Sequence, residues 1–428
     1  MLLRFEVSNH RSLLESTELS MIAVDENRAA TRSFDRLSER VLTIAGIYGP
    51  NASGKSNVLD ALAWLSRAVA TSLKQWDDFI PRESHRFGNG VKKPSTFSIE
   101  FMSGQIRYDY SLHVNDDHIV YESLHSYPER RRRLLFERHE DEIEFRRGTA
   151  GQGAIRELLN QTTLALSAAL RYDDPDLRAA GRTISRIGTQ GLRRPTRLGR
   201  PMGGGIGGPF GYRGAVTQRF FENDRHRGQE SLFDMDDMYS NRSDAALALL
   251  RFADLGIDGV EIVDDDSNEV RGPRWRVQLI HRSSDGPVAF ELHDESEGTI
   301  TWFRLIGPAL AALNTGQLLI FDEIDASLHP RLSARLLELF QDPVTNPHGA
   351  QLIFTTHDTS LLGFLNRDEV WLTEKDDNGA TTLTALADYG SKRVRQSLNL
   401  EKAYLQGRFG AVPELDQIVL KRALGLVG

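Results

Sequence analysis

The sequence predicts an α/β protein built on a parallel sheet, and three patterns predict it. Residues 41–48 (VLTIAGIY) form a nearly continuous apolar run, as a strand covered on both faces requires. A Gly-rich turn and an apolar-periodic helix follow at once. Beyond residue 298, helices over about 300–313 and 330–340 alternate with strands at 318–321 and 351–355. Strand–helix alternation is the signature of parallel strands joined by helical crossovers.

The remaining elements differ in period. Residues 2–7 alternate well enough for a strand, and 17–23 suggest a second. The helix over about 56–73 places Val58, Leu59, Leu62, Leu65 and Val69 at helical spacing. From 95 to 145, short alternating runs separated by Ser-Gly and Asn-Asp-Asp turns predict an antiparallel meander. Residues 151–259 read as mostly helical but weakly periodic, broken at 199–214 by a stretch with 8 Gly in 16 residues. Strand-like runs return at 275–281 and 288–292. The chain is thus expected to fall into 1–148, with the first part of the fold and an antiparallel β subdomain; 149–269, a mostly helical insertion; and 270–428, the second part of the fold.

Composition narrows the function classes. With 428 residues, 40% hydrophobic and 26% charged, the chain can bury a large core. Its 52 basic and 60 acidic side chains leave a net charge of −8, which argues against a surface that coats nucleic acid throughout. With 0 Cys, disulfide scaffolds, thiolate zinc sites and cysteine nucleophiles are excluded. No apolar stretch of about 18 residues and no secretory leader pattern is present, so the expected location is cytoplasmic, away from membranes.

The chemistry centres on two segments. Gly49-Pro50-Asn51-Ala52-Ser53-Gly54-Lys55-Ser56 fits G-x-x-x-x-G-K-[ST], after a buried strand and opening a helix, with Asn57 next in that helix. Such a loop turns successive N–H groups and a helix N-terminus toward phosphate. Lys55 would bridge the β- and γ-phosphates of ATP, and the Ser56 hydroxyl would ligate Mg²⁺. Far downstream, the apolar strand at 318–321 ends in Asp322-Glu323. Asp322 would hold the Mg²⁺, and Glu323 would polarise the attacking water.

These residues, with Asp325-Ala-Ser-Leu-His-Pro330 and the strand ending Thr355-Thr-His357-Asp358, resemble the Walker B, D-loop and H-loop of ABC-type ATPase heads. Within that group the order is similar to the RecF, SMC and OLD branch, whose N-terminal strand and turn match Phe5-Glu-Val-Ser-Asn9-His-Arg11-Ser12. The tail over 398–413 is similar to the prokaryotic AAA/ABC ATPases of phage-defence operons, to which RloA and the ATPase subunit of the PARIS system belong. The resemblance covers roughly 1–100 and 290–415. It implies an ATPase head split by the insertion, with catalytic Lys55, Glu323 and His357, the last sensing the γ-phosphate. It implies that Arg11 approaches the nucleotide and that Asp325 communicates across a homodimer. Asp294-Glu-Ser296-Glu-Gly298-Thr299 stands where the signature motif belongs, although only Ser296 and Gly298 match LSGGQ. By resemblance, those two cap the ATP of the other protomer. Gln105 is the candidate for the Q-loop glutamine.

Two further features bear on partners. Arg130 to Arg133, Arg146-Arg147 and Arg193-Arg194 could meet nucleic-acid phosphates. The preferred reading is a solvated turn neutralised by Glu137, Glu140, Asp141 and Glu142. An insertion of about 110 residues without heptads excludes a long coiled-coil rod. No Glu plus Asp-x-Asp nuclease cluster follows His357, so a nuclease or toxin would be a separate effector chain. Three functions remain open at this point: an ATP-hydrolysing switch that controls such an effector, in a homodimer or larger oligomer; a DNA-repair ATPase that binds DNA directly; and an ATP-stabilised scaffold with little turnover.

Overall fold

The computed structural model describes residues 1–25, 28–192, 215–221, 243–265, 274–326, 328–389 and 399–411. The Gly-rich stretch 199–214, Arg193-Arg194 and the tail residues 398 and 412–413 lie outside them.

The chain opens with an antiparallel pair, β1 (Leu2–Ser8) and β2 (Thr17–Ser20). A short pair follows, β3 (Thr31–Arg32) and β4 (Val41–Leu42). The run expected over 41–48 therefore breaks at Thr43, and its second part is β5 (Ile44–Tyr48). The break has a local cause: the Thr43 N–H and hydroxyl both donate to Ala30 O, at 3.0 and 3.1 Å. Next come helix α1 (Lys55–Gln75) and five strands. These are β6 (Ser95–Ser103), β7 (Ile106–Val114), β8 (Ile119–Tyr127), β9 (Arg133–His139) and β10 (Glu142–Phe145). They extend the first pair into a seven-stranded antiparallel sheet ordered β10-β9-β8-β7-β6-β1-β2, the meander that the period-2 pattern predicts.

Short helices follow: α2 (Gln152–Leu158), α3 (Ala165–Ala169) and α4 (Pro175–Ser185), then strand β11 (Gly188–Gln190). Helices α5 (Ala215–Arg219) and α6 (Ser243–Ala253) lead to a separate three-stranded antiparallel sheet. Its strands are β12 (Ile257–Asp265), β13 (Arg274–His281) and β14 (Val288–Glu291). The chain continues through α7 (Glu297–Thr315), β15 (Leu318–Phe321), α8 (Pro330–Gln341) and β16 (Gln351–Thr355). It ends, within the described residues, in β17 (Val370–Lys375), β18 (Thr381–Ala385) and α9 (Leu400–Leu405). The second sheet is ordered β11-β15-β16-β5-β17-β18, with all pairs parallel except β17-β18.

The parallel sheet separates two cores, and the pleat explains why its strands read as unbroken apolar runs. Leu318, Ile320, Ile353, Ala45 and Ile47 face the core that holds α1, α3, α4 and the antiparallel sheet. Leu319, Phe321, Leu352, Phe354, Ile44 and Tyr48 face the opposite core with α7 and α8. Among the described residues, no helix is long and apolar enough to cross a membrane.

The packing does not break at residue 148. Glu122, fully buried in β8, accepts the N–H groups of Ala165 and Leu166 at 2.7 and 2.9 Å and the Tyr110 hydroxyl at 3.0 Å. Buried Arg138 donates to the carbonyls of Thr163 and Asn160 at 2.8 and 2.7 Å. Residues 160–166 are thereby stitched to the antiparallel sheet, and β11 joins the parallel one. The segment up to 190, read from sequence as the start of an insertion, is part of the body that carries α1.

One side chain joins the two sheets. Gln351, fully buried at the start of β16, accepts the Leu2 N–H at 2.5 Å and donates to Leu2 O and Leu42 O at 2.9 Å each. Replacing it with leucine leaves three main-chain groups buried without partners. Each such group costs about 1–3 kcal/mol, so Q351L is expected to lose roughly 3 kcal/mol or more in a denaturant titration. A midpoint equal to that of the unsubstituted chain would show that the sheets are joined by other means.

Candidate active site

In the loop between β5 and α1, two glycines are required by shape. Gly49 has φ 150°, and a Cβ there would lie 2.4 Å from the Thr373 hydroxyl. Gly54 has φ 106°, and a Cβ there would lie 2.1 Å from the Thr381 hydroxyl. The left-handed backbone favours glycine at both positions, and the contacts exclude any side chain. Thr373 and Thr381 belong to β17 and β18, which clamp the loop from behind. The Ser53 and Thr373 hydroxyls lie 2.6 Å apart, and Thr381 Oγ1 donates to Ser53 O at 2.7 Å. Pro50, Asn51 and Ala52 form the outer side of the loop, with Ala52 at φ 64°. Ser56 and Asn57 are half-buried in the first turn of α1, where Asn57 donates to Ser12 Oγ at 2.5 Å.

Lys55 is buried, and its Nζ donates to the loop carbonyls of Gly49 and Pro50 at 2.9 and 3.0 Å. Burial pulls its pKa down to about 8, against the opposing pull of Asp322, Glu323 and Asp325. Those carboxylates therefore lie within electrostatic reach of the loop, although more than 260 residues separate them from it in sequence.

The parallel register makes this possible. Strand β16 lies between β15 and β5, with Phe354 opposite both Phe321 and Gly46. All three strands end at one edge. There the Thr355 hydroxyl donates to Asp322 Oδ1 at 2.6 Å and accepts the Glu323 N–H at 2.7 Å. Asp322 is buried, whereas Glu323 is exposed and turns out of the strand at φ 56°. The two carboxylates thus face different environments, because the strand ends at Phe321 and the backbone reverses at Glu323. Asp325 Oδ1 accepts the Thr356 hydroxyl at 2.8 Å, and the exposed His357 gives its N–H to both Asp325 oxygens at 3.2 Å.

Other sequence-predicted residues stand apart from this edge. Ser296 caps α7, accepting the Thr299 N–H at 3.1 Å, and Gly298 lies in the first turn of that helix. Among the described residues, no hydrogen bond ties either of them to 49–56 or 322–323. Arg11 sits at φ 51° and pairs with Asp60 and Glu83, both at 3.1 Å. It therefore braces the turn after β1 against α1, and Ser12 beside it reaches the loop instead. Gln105 lies in the tight turn between β6 and β7, within the antiparallel sheet.

The glutamine at the nucleotide edge is Gln190. It ends β11, and its carbonyl accepts the Asp322 N–H at 3.0 Å. Gly191 follows at φ 77°, where a Cβ would lie 2.1 Å from Asp322 O. A three-residue strand leaves no period to detect, so only the Gln-Gly pair before a basic run could have signalled it.

A family model described as "AAA domain, putative AbiEii toxin, Type IV TA system" matches residues 44–363, spanning the loop, both carboxylates and His357. The chain belongs to this AAA family. No curated protein matches it. Among solved structures, this AAA protein is similar to one titled "Crystal structure of the SmcHead bound to the C-winged helix domain of ScpA". That likeness has 13% identity and a TM-score of 0.45, and covers 92% of this chain and 99% of that one. It is also similar to the "SMC head domain from Thermotoga maritima", at 12% identity and a TM-score of 0.39, covering 90% and 98%.

Two measurements test this geometry. T355V removes the hydroxyl that bridges Asp322 and the Glu323 N–H and should cost about 1–3 kcal/mol in a thermal melt. An unchanged melt would show that the bridge does not order the edge. Lys55, half charged near pH 8, should gain a proton when a triphosphate binds. Calorimetry at that pH in buffers of different ionisation enthalpy should then show uptake of about half a proton, falling toward zero at pH 6. No uptake at pH 8 would place the Lys55 ammonium away from the phosphates.

Proposed function

We propose that this AAA protein binds and hydrolyses ATP with Mg²⁺, as a switch whose sites close in a homodimer. The observation that carries the reading is the convergence, on one edge of the parallel sheet, of the phosphate loop, Asp322-Glu323 and Thr355–His357. Lys55 and the N–H groups of residues 51–57 neutralise the β- and γ-phosphates at the N-terminus of α1. The Ser56 hydroxyl and Asp322 are the oxygen donors suited to Mg²⁺, which withdraws charge from the phosphate oxygens. Glu323, exposed and aimed by its own N–H bond to Thr355, accepts the proton of the attacking water. His357, whose main-chain N–H is held by Asp325, and Gln190, whose carbonyl holds the Asp322 N–H, are the residues we assign to sensing the γ-phosphate. Ser296 and Gly298, bonded to none of these groups in their own chain, are free to cap the nucleotide of the partner, with Asp325 beside the interface.

The biological role we infer is that of the ATPase and sensor subunit of an anti-phage defence system, controlling a separate nuclease or toxin chain. The motif order and tail described above support it.

Substituting E323Q keeps the Thr355 bond and removes the proton acceptor. ATP turnover should fall about a hundredfold or more, and the ATP-bound form should elute as a dimer on size exclusion. Wild-type turnover in that variant would refute the role given to Glu323.

A further inference from the structure

The turn between β8 and β9 carries Arg130, Arg131, Arg132 and Arg133, and all four are exposed. The sequence reading neutralises them with Glu137, Glu140, Asp141 and Glu142. The structure pairs none of these carboxylates with the turn, although Glu137 and Arg132 both act on His125 and Tyr121. Strand β9 starts at Arg133 and runs away from the turn, so at about 3.3 Å per residue Glu137 lies roughly 13 Å along it. Glu140, Asp141 and Glu142 lie beyond its far end, and Glu137 accepts the Tyr121 hydroxyl at 2.8 Å.

Among the described residues, no carboxylate pairs with any of the four guanidinium groups. Arg132 makes a side-chain contact with His125 Nδ1 at 3.5 Å, and burial, then Arg132, pushes the His125 pKa down. Asp109 and Glu137 oppose that shift. Glu129 is the one acidic residue of 128–133, so the turn carries 4 − 1 = +3 in a chain of net charge −8. Arg36 adds a fifth guanidinium, donating to Pro128 O, whereas Arg107, stacked on the Tyr127 ring at 4.5 Å, is neutralised by its ion pair with Glu100.

Strand polarity locates the patch. Leu2 of β1 faces Phe101 of β6, and Arg107 of β7 faces Tyr127 of β8, so the turn lies at the Met1 end of the antiparallel sheet. The other end of β1 leads into the turn that docks on α1 and the phosphate loop. The cationic tip and the nucleotide edge are therefore at opposite ends of the sheet.

We propose that this hairpin tip is a contact site for the phosphate backbone of a nucleic acid, separate from the ATP site. Guanidinium forks match phosphate oxygens bidentately. A protein partner would need apolar or aromatic anchors, and none of the exposed large apolar side chains lies on this hairpin. Attraction with no apolar anchor is the chemistry of backbone contact, and its mark is salt dependence.

The test is fluorescence polarisation of the full chain with a labelled duplex DNA of about thirty base pairs and an RNA of equal length. With about four phosphates neutralised, affinity should fall on the order of a hundredfold between about 50 and 200 mM salt. In R130Q/R131Q/R132Q/R133Q the slope of log affinity against log salt should lose roughly 3 units, while the proton uptake on ATP binding persists. That control separates this site from the nucleotide reading, since either can fail alone. Absent binding, an unchanged slope in the quadruple variant, or equally strong capture of poly-glutamate would overturn the proposal.

Discussion

Strand β16 lies between the strand that ends in the phosphate loop and the strand that ends in Asp322-Glu323, and the site depends on its in-register pairing with both. Slipping that register by one residue would turn Leu352 and Phe354 into the other core and carry Thr355 away from Asp322. Two buried apolar layers oppose the slip, so hydrophobic burial on both faces is what holds the edge in place. The polar bonds at the edge, led by the Thr355 bridge, are short side branches from that packed core.

The antiparallel sheet serves the same end indirectly. Its first strand is locked to the start of β16 through Gln351, and its first turn presses Ser12 against Asn57 and Thr381. The loop is therefore clamped between the turn after β1 and the strands β17 and β18. Glycine is favoured at 49 and 54 because the threonine hydroxyls already fill the space a Cβ would take. Lys55 is buried by the same clamp, and that burial lowers its pKa to about 8.

Much of this was legible in the sequence, because strong patterns have strong physical causes. The apolar runs at 44–48, 318–321 and 351–355 are visible because those strands are covered on both sides. The phosphate loop is visible because its spacing is imposed by backbone geometry. What escaped was short or depended on a distant partner. The strand at 188–190 has too few residues to show a period, so Gln190 was not found and the segment before it was read as an insertion. Arg11 was read as a nucleotide contact, yet Asp60 and Glu83, remote in sequence, hold it. The arginine turn was read as neutralised because four acids follow within a dozen residues, but among the described residues none of them makes an ion pair with it.

By itself the sequence determined the elements, the loop that suits a triphosphate and the carboxylate pair after a buried strand, since each follows from local periodicity or local backbone shape. The tertiary structure alone decided which groups meet: the Thr355 hydroxyl with Asp322, the Gln190 carbonyl with the Asp322 N–H, and the four arginines with no carboxylate among the described residues. Those outcomes rest on the strand order and direction of two sheets, and contacts between residues on different strands, 33 positions apart for Thr355 and Asp322, leave no periodic trace along the chain.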